Sequence, residues 1–293
     1  MKLRLIVNPT AGRGRAGAKA RQARDYLEAR RAEVELVESR DRDHLVELAA
    51  DPSNAGFDRV VACGGDGTLH WIVRGLDLSA TTLAMLPFGS GDDFARVVGV
   101  PLDVEGACDV ILDGEPREFD VAEANGIRYL GVAGLGFDSE VARYANEEVK
   151  RLRGPLVYLY SVFRVLRRFE PRPVTIVEGD VERCEQIMFA VVGNTRQYGG
   201  GIRIVPAAEP DDGLLDLCVI ARCSRWELLK ALPAAYGGKH VKNRYVSIVR
   251  GTRFGFRSEQ PLDVYADGEF LTTTPVTIRL ADQRLRFVVP RSG

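Results

Sequence analysis

The feature that most constrains this chain is the alternation of strand-like and helix-like segments over its first hundred residues. Apolar runs at 2–8, 33–38, 59–63 and 82–87 are separated by charged or amphipathic stretches at 16–31, 43–50 and 68–76, with a further one at 103–112. A helix between successive strands is a crossover connection, so this pitch predicts a parallel sheet covered on both faces. After about residue 120 the texture changes. Strand-like runs at 127–137, 173–180, 185–193, 213–221, 244–250, 252–257, 261–267, 275–281 and 284–289 follow one another, with helical stretches only near 138–147, 155–169 and 224–235. Strands in succession argue for an antiparallel sheet or sandwich. The expected fold is therefore an α/β N-terminal domain with a parallel sheet, over 1–123, plus a β-rich antiparallel sandwich over 124–293. The last strand is free to return to the first domain.

A chain of 293 residues that is 45% apolar suits two globular domains and excludes wholesale disorder. No apolar run approaches the roughly 18 residues needed to span a bilayer, and the start lacks a signal-peptide core. The expected location is cytoplasmic, with peripheral contact at the inner membrane surface allowed. Five Cys (63, 108, 184, 218, 223), without a Cys-x-x-Cys pair, read as thiols rather than disulfides or zinc ligands. Residues 1–31 hold nine Lys/Arg against Asp25 and Glu28, whereas 32–58 hold eight Asp/Glu against Arg40 and Arg42. Such blocks are usually solvated faces; a polyanionic ligand is the sharper reading.

Three glycine-rich turns sit where strands end and helices begin, the edge of an α/β sheet where ligands collect. The first, Asn8-Pro9-Thr10-Ala11-Gly12-Arg13-Gly14-Arg15-Ala16-Gly17, matches G-x-G-x-x-G. Four residues including a Pro separate it from the strand, so the dinucleotide fingerprint fits poorly. The second is Gly64-Gly65-Asp66-Gly67-Thr68-Leu69-His70. Its paired glycines let the backbone approach phosphate, and Thr68 is placed to cap the next helix. A carboxylate beside phosphates needs a cation between them, so Asp66 implies a metal–nucleotide. The third, Leu86-Pro87-Phe88-Gly89-Ser90-Gly91-Asp92-Asp93-Phe94-Ala95-Arg96, adds a hydroxyl and more carboxylate to the same edge. Each turn alone is more often structural; three in consecutive units shift the balance.

These residues resemble the diacylglycerol kinase catalytic family, bacterial lipid kinases related to sphingosine kinases and more distantly to NAD kinases. The match runs essentially end to end: Asn8–Gly12, Gly64–Thr68, Pro87–Arg96, then Asn194-Thr195, Tyr198–Gly201, Pro206-Ala207, Asp212–Asp216 and Asp267-Gly268-Glu269. The resemblance implies an NAD kinase/phosphofructokinase-like first domain, a β-rich second domain and an active site between them. It implies ATP contacts from Asn8, Pro9, Thr10, Ala11, Gly12, Arg13, Ser39, Gly64, Gly65, Asp66, Gly67, Thr68, Leu69, His70, Trp71 and Ser90. Asp66, Asp93 and Asp120 would form the acidic network around Mg2+. Asp212, with the carbonyls of Glu209 and Leu214, would hold a structural Mg2+. Glu269 would be the general base, beside Asp267. The chain departs where the family has Asn-Glu, here His70-Trp71, and where it has Asn, here Asp92.

The expected activity is ATP-dependent phosphorylation of a diacylglycerol-like or other lipid alcohol. The alternatives are an NAD kinase-type reaction and a non-catalytic nucleotide- or lipid-binding homologue. A lipid substrate, transient membrane contact and a homodimer are the partners allowed; nucleic acid is not. By residue geometry alone Asp267-Gly268 is a hairpin turn. In 155–169, Leu156, Leu159, Tyr160, Phe163 and Leu166 follow helical spacing and predict a core-facing stripe that Val162, Val165 and Phe169 widen. Packing against the β domain is favoured over lying on a bilayer.

Overall fold

The computed structural model describes residues 1–149 and 155–291. By its contacts the chain divides into two compact units, Met1–Val121 with Ala281–Gly293, and Ala122–Leu280.

The first unit is built on strands β1 (Lys2–Val7), β2 (Glu33–Glu38), β3 (Arg59–Gly64), β4 (Thr82–Pro87), β5 (Glu115–Phe119) and the much later β17 (Leu285–Val289). Their order is β2-β1-β3-β4-β17-β5. All pairs are parallel except β17–β5, which is antiparallel. Helices α1 (Ala11–Gly14), α2 (Ala16–Ala29), α3 (Arg42–Ala50), α4 (Asp66–Gly75), α5 (Asp93–Val98) and α6 (Val104–Asp113) fill the crossovers. The strand sequences explain this placement: β1, β3 and β4 are buried without alternation, as strands covered on both faces must be. α2 buries Ala16, Ala20, Ala23 and Leu27, one face at helical spacing. Asp41 and Asp103 cap α3 and α6 through side-chain bonds from His44 and Gly106 amides. Phe94, Phe119 and Phe287 meet edge to face, with centroids 5.1–6.3 Å apart, and tie β17 to α5 and β5.

The second unit is an eleven-stranded antiparallel sheet. Its strands are β6 (Ala122–Ala124), β7 (Ile127–Tyr129), β8 (Val132–Gly136), β9 (Arg172–Glu178), β10 (Val181–Gly193), β11 (Leu215–Ala221), β12 (Val246–Gly251), β13 (Arg253–Arg257), β14 (Asp263–Ala266), β15 (Glu269–Thr273) and β16 (Val276–Leu280). β8, β11 and the second half of β10, from Ile187, bury both faces. Alternate residues such as Ala133, Ala190 and Leu217 enter a cluster with β9, β13, β14 and β16. The intervening ones, such as Val132, Val191 and Cys218, enter a second cluster. Helices α7 (Phe137–Glu147), α8 (Pro155–Leu166) and α9 (Arg225–Tyr236) join that second cluster, with Ile202, Ile204, Val205 and Ala208 from the segment before β11.

The expected strand 127–137 is broken at Leu130-Gly131, and β5, β6 and β15 lie where no strand was expected. In α8 the core face is Val162, Val165 and Leu166, continued by Phe169, while Tyr160 and Phe163 are exposed, contrary to the spacing argument. Leu166 and the widening residues Val162, Val165 and Phe169 are buried as expected; Tyr160 and Phe163 are the two that the spacing misplaced. Leu156 and Leu159 fall outside the described side chains. All five cysteines are free thiols, three of them buried.

Candidate functional site

β1, β3 and β4 are neighbours in parallel register, so Val7 lies beside Cys63 and Gly64 beside Pro87. The turns that follow them are therefore side by side, and their glycines are what allows it. A Cβ on Gly12 would lie 2.4 Å from the Phe88 carbonyl oxygen. A Cβ on Gly65 would stand 2.8 Å from Gly89 Cα, and one on Gly89 would stand 2.6 Å from Gly65 Cα. No side chain fits at either place. Polar bonds lock the same arrangement. Asn8 Nδ2 donates to Thr68 Oγ1 (3.1 Å), Thr10 Oγ1 donates to Asn8 Oδ1 (2.7 Å), and the Phe88 amide donates to the Gly64 carbonyl (2.9 Å). Thr68 sits inside α4 rather than capping it; the cap residue is Gly65, which offers no side chain, so the first-turn amides of α4 lack a side-chain acceptor. Gly12, Arg13 and Gly14 are left-handed in succession (φ 58, 63 and 77°), a conformation strained for an arginine. Ser90 is exposed in the third turn, and Ser39 is buried just past β2, its amide bonded to the Val7 carbonyl.

Asp66, Asp92 and Asp93 come together here, all buried or nearly so. Asp66 Oδ1 accepts from the Phe94 amide (3.1 Å) and Asp92 Oδ1 from the Gly89 amide (2.9 Å). Burial first, and the Asp93 charge second, push the Asp66 carboxyl up to about 7. Burial also raises Asp92, against the pull of the Gly89 amide, Arg96 and Lys19. Among the described residues no group of three or more His, Cys, Asp or Glu is placed to chelate a metal alone. Magnesium shared with phosphates needs only one or two carboxylates and keeps its waters, so crowded, desolvated Asp66 and Asp93 fit a metal–nucleotide.

The other expected residues have these settings. Leu69 and His70 point into the unit's interior. Trp71 meets His70 edge-on and carries the Arg74 guanidinium 4.3 Å over its ring. Asp120 is buried and pairs with Arg284 Nε at 3.0 Å.

In the second unit Asp267 and Gly268, both left-handed, form the turn between β14 and β15. The Asp267 carboxylate accepts from the amides of Leu130 (3.3 Å) and Val132 (3.1 Å), which is what breaks the strand there. A Cβ on Gly131 would strike Asp267 Oδ1 at 2.3 Å. Glu269 opens β15, half-buried. Asp212 pairs with Arg250 and accepts from the Leu214 amide, while Glu209 is exposed.

Sequence reasoning missed a cavity between the sheet and the helices of this unit. It is a narrow cavity of about 30 Å³, open to solvent on one side and lined by Phe137, Phe189, Ile202, Ile204, Ile220, Leu228, Leu232 and Ala235 among others. Its polar members are Asp138, Tyr198 and His240. Tyr198 Oη donates to Asp138 Oδ1 (2.6 Å), and His240 Nε2 meets the Ile204 carbonyl (2.9 Å). Tyr198, beside three glycines, was the one available signal.

Comparison with known proteins bears on both units. Residues 2–124 match the diacylglycerol kinase catalytic domain, and 131–289 match the YegS C-terminal NAD kinase beta sandwich-like domain. A diacylglycerol kinase of Mycobacterium tuberculosis is 33% identical over 303 residues, covering 100% of this chain and 96% of its own. One from Bacillus subtilis is 26% identical over 294 residues, covering 99% and 97%. Among solved structures, that of a diacylglycerol kinase from Bacillus anthracis overlays with a TM-score of 0.75 at 24% identity, over 98% of this chain and 96% of its own, which shows the shared fold. With both halves matched and full-length relatives at this identity, the chain belongs to the diacylglycerol kinase family of lipid kinases.

Proposed function

We propose that the protein transfers the γ-phosphoryl group of ATP to the hydroxyl of a diacylglycerol-like lipid. The observation that carries this reading is the convergence of three glycine-rich turns on buried Asp66 and Asp93, a place where backbone donors and carboxylates suit a magnesium-bound polyphosphate. Asn8–Arg13, the amides at the start of α4 and the Ser90 hydroxyl hold phosphate oxygens. Asp66 and Asp93 would hold Mg2+, which would neutralise charge developing on the transferred group. Asp120, through Arg284, fixes the segment leading out of β5. Glu269 accepts the proton of the attacking hydroxyl, and Asp267 holds the hairpin that presents it. The lipid rather than nucleotide acceptor is favoured by the lining of the cavity, almost wholly apolar and so matched in chemistry to acyl chains, which would have to widen it.

Labelled ATP incubated with diacylglycerol, other lipid alcohols and NAD tests this. Label in a phospholipid product supports the reading; label in NADP, or nucleotide binding without transfer, overturns it. Glu269→Gln should abolish turnover and retain ATP binding; unchanged turnover removes Glu269 from the mechanism.

A further inference from the structure

Helix α9 has two unlike faces. Leu228, Ala231, Leu232 and Ala235 line the cavity. By the 3.6-residue period, Trp226, Lys230 and Pro233 stand on the opposite side. Trp226 is 74% exposed, more than any other large hydrophobic side chain described, and Tyr236 at the helix end is 53% exposed. The surrounding segment, 222–244, carries six cations against the single acid Glu227. Arg222, Arg225, Lys230, Lys239 and Lys242 are all exposed. Glu227 is already engaged, in a capping box with Ser224 and an ion pair with Arg244. The local charge is thus strongly positive although the whole chain is near neutral. α8, packed on the same apolar cluster, adds exposed Tyr160 and Phe163 on that side of the sheet.

A bare indole and phenol set among lysines and arginines ask for a partner that is anionic at its surface and apolar just beneath. A bilayer with acidic headgroups meets both demands: the rings settle at the headgroup level while the cations meet phosphates. We propose that the outer face of α9, with the turn that follows it, docks on an anionic lipid bilayer. The cavity on the inner face of the same helix then receives acyl chains from the leaflet. That last step rests on the lipid-kinase reading; the docking does not. Pro233 removes the amide that would bond the Leu229 carbonyl, so α9 is weakest in the middle of its cavity-covering stretch.

Sedimentation with phosphatidylcholine vesicles, with and without phosphatidylglycerol, tests the docking. Wild type should bind the anionic vesicles roughly tenfold more tightly, and Trp226→Ser or the triple variant Lys230→Glu, Lys239→Glu, Lys242→Glu should each weaken that binding about tenfold. The chain has two tryptophans. The vesicle-induced blue shift of emission should vanish in Trp226→Phe, leaving Trp71 as the only indole. Phosphorylation of dispersed short-chain diacylglycerol should be unchanged in these variants, while that of vesicle-embedded diacylglycerol falls. Variants that bind vesicles like wild type, a persisting blue shift, equal binding to neutral vesicles, or Trp226-dependent self-association without vesicle binding each overturn the proposal. Anionic-vesicle binding by a wild type that phosphorylates no lipid supports the docking and sinks the kinase reading alone.

Discussion

The two units carry chemistry in opposite ways. In the first, the candidate site is made of backbone. Gly12, Gly65 and Gly89 bring three turns to a spacing no side chain allows, and Asp66, beside Asp93, has its carboxyl raised by burial there. In the second, the cavity is made of side chains on sheet and helix, any of which another apolar residue could replace at similar volume. One site should therefore fail abruptly under small changes and the other degrade gradually.

Gly65→Val tests the abrupt side and should have the largest effect. The new Cβ would face Gly89 Cα at 2.8 Å, so the turns must part. Nucleotide binding by calorimetry should be lost, with destabilisation of about 3 kcal/mol or more. Retained affinity would mean that the turns need not touch.

Asp66→Asn comes next. With a folded value near 7, the wild-type carboxyl binds its proton more tightly folded than unfolded. The nucleotide-free protein therefore loses stability as pH rises from the ordinary carboxylate range to about 7, by an upper limit on the order of 4 kcal/mol. The Asn variant lacks this loss. It should melt higher than wild type above pH ~7 and alike in acid, while binding magnesium–ATP poorly. Identical melting profiles across pH would show that Asp66 is not crowded.

Ala231→Trp probes the gradual side. Blocking the cavity with an indole should raise KM for diacylglycerol about tenfold and leave ATP affinity alone. An unchanged KM would place the acyl chains elsewhere.

Trp71→Phe should matter least. Its ring carries Arg74, and weakening that stack costs about 0.5 kcal/mol in urea denaturation. A marked loss of ATP affinity would return Trp71 to the nucleotide site.

The same contrast explains what the sequence disclosed. The turns were legible because paired glycines with an aspartate have few other physical uses. The crossovers were legible because strands covered on both faces leave unbroken apolar runs. β15 was hidden because Glu269 and the threonines after it carry no apolar alternation to mark a strand. The split of 127–137 was hidden because its cause, Asp267, lies far along the chain. In α8, Tyr160 and Phe163 were misjudged because so broad an apolar arc does not reveal where its buried edge ends. The cavity was invisible for a related reason: its walls come from distant segments, and each residue alone reads as ordinary core.

The position of β17 has a consequence for synthesis. It lies between β4 and β5, so a nascent chain that has emerged only through Phe119 holds a sheet with a missing rung. β4 then presents an unpaired edge, and β5 has nothing to lie against, until translation has passed residue 289. Expressed by itself, the fragment ending at Val121 should be prone to aggregate, and fusing 281–291 back onto it is the simplest cure.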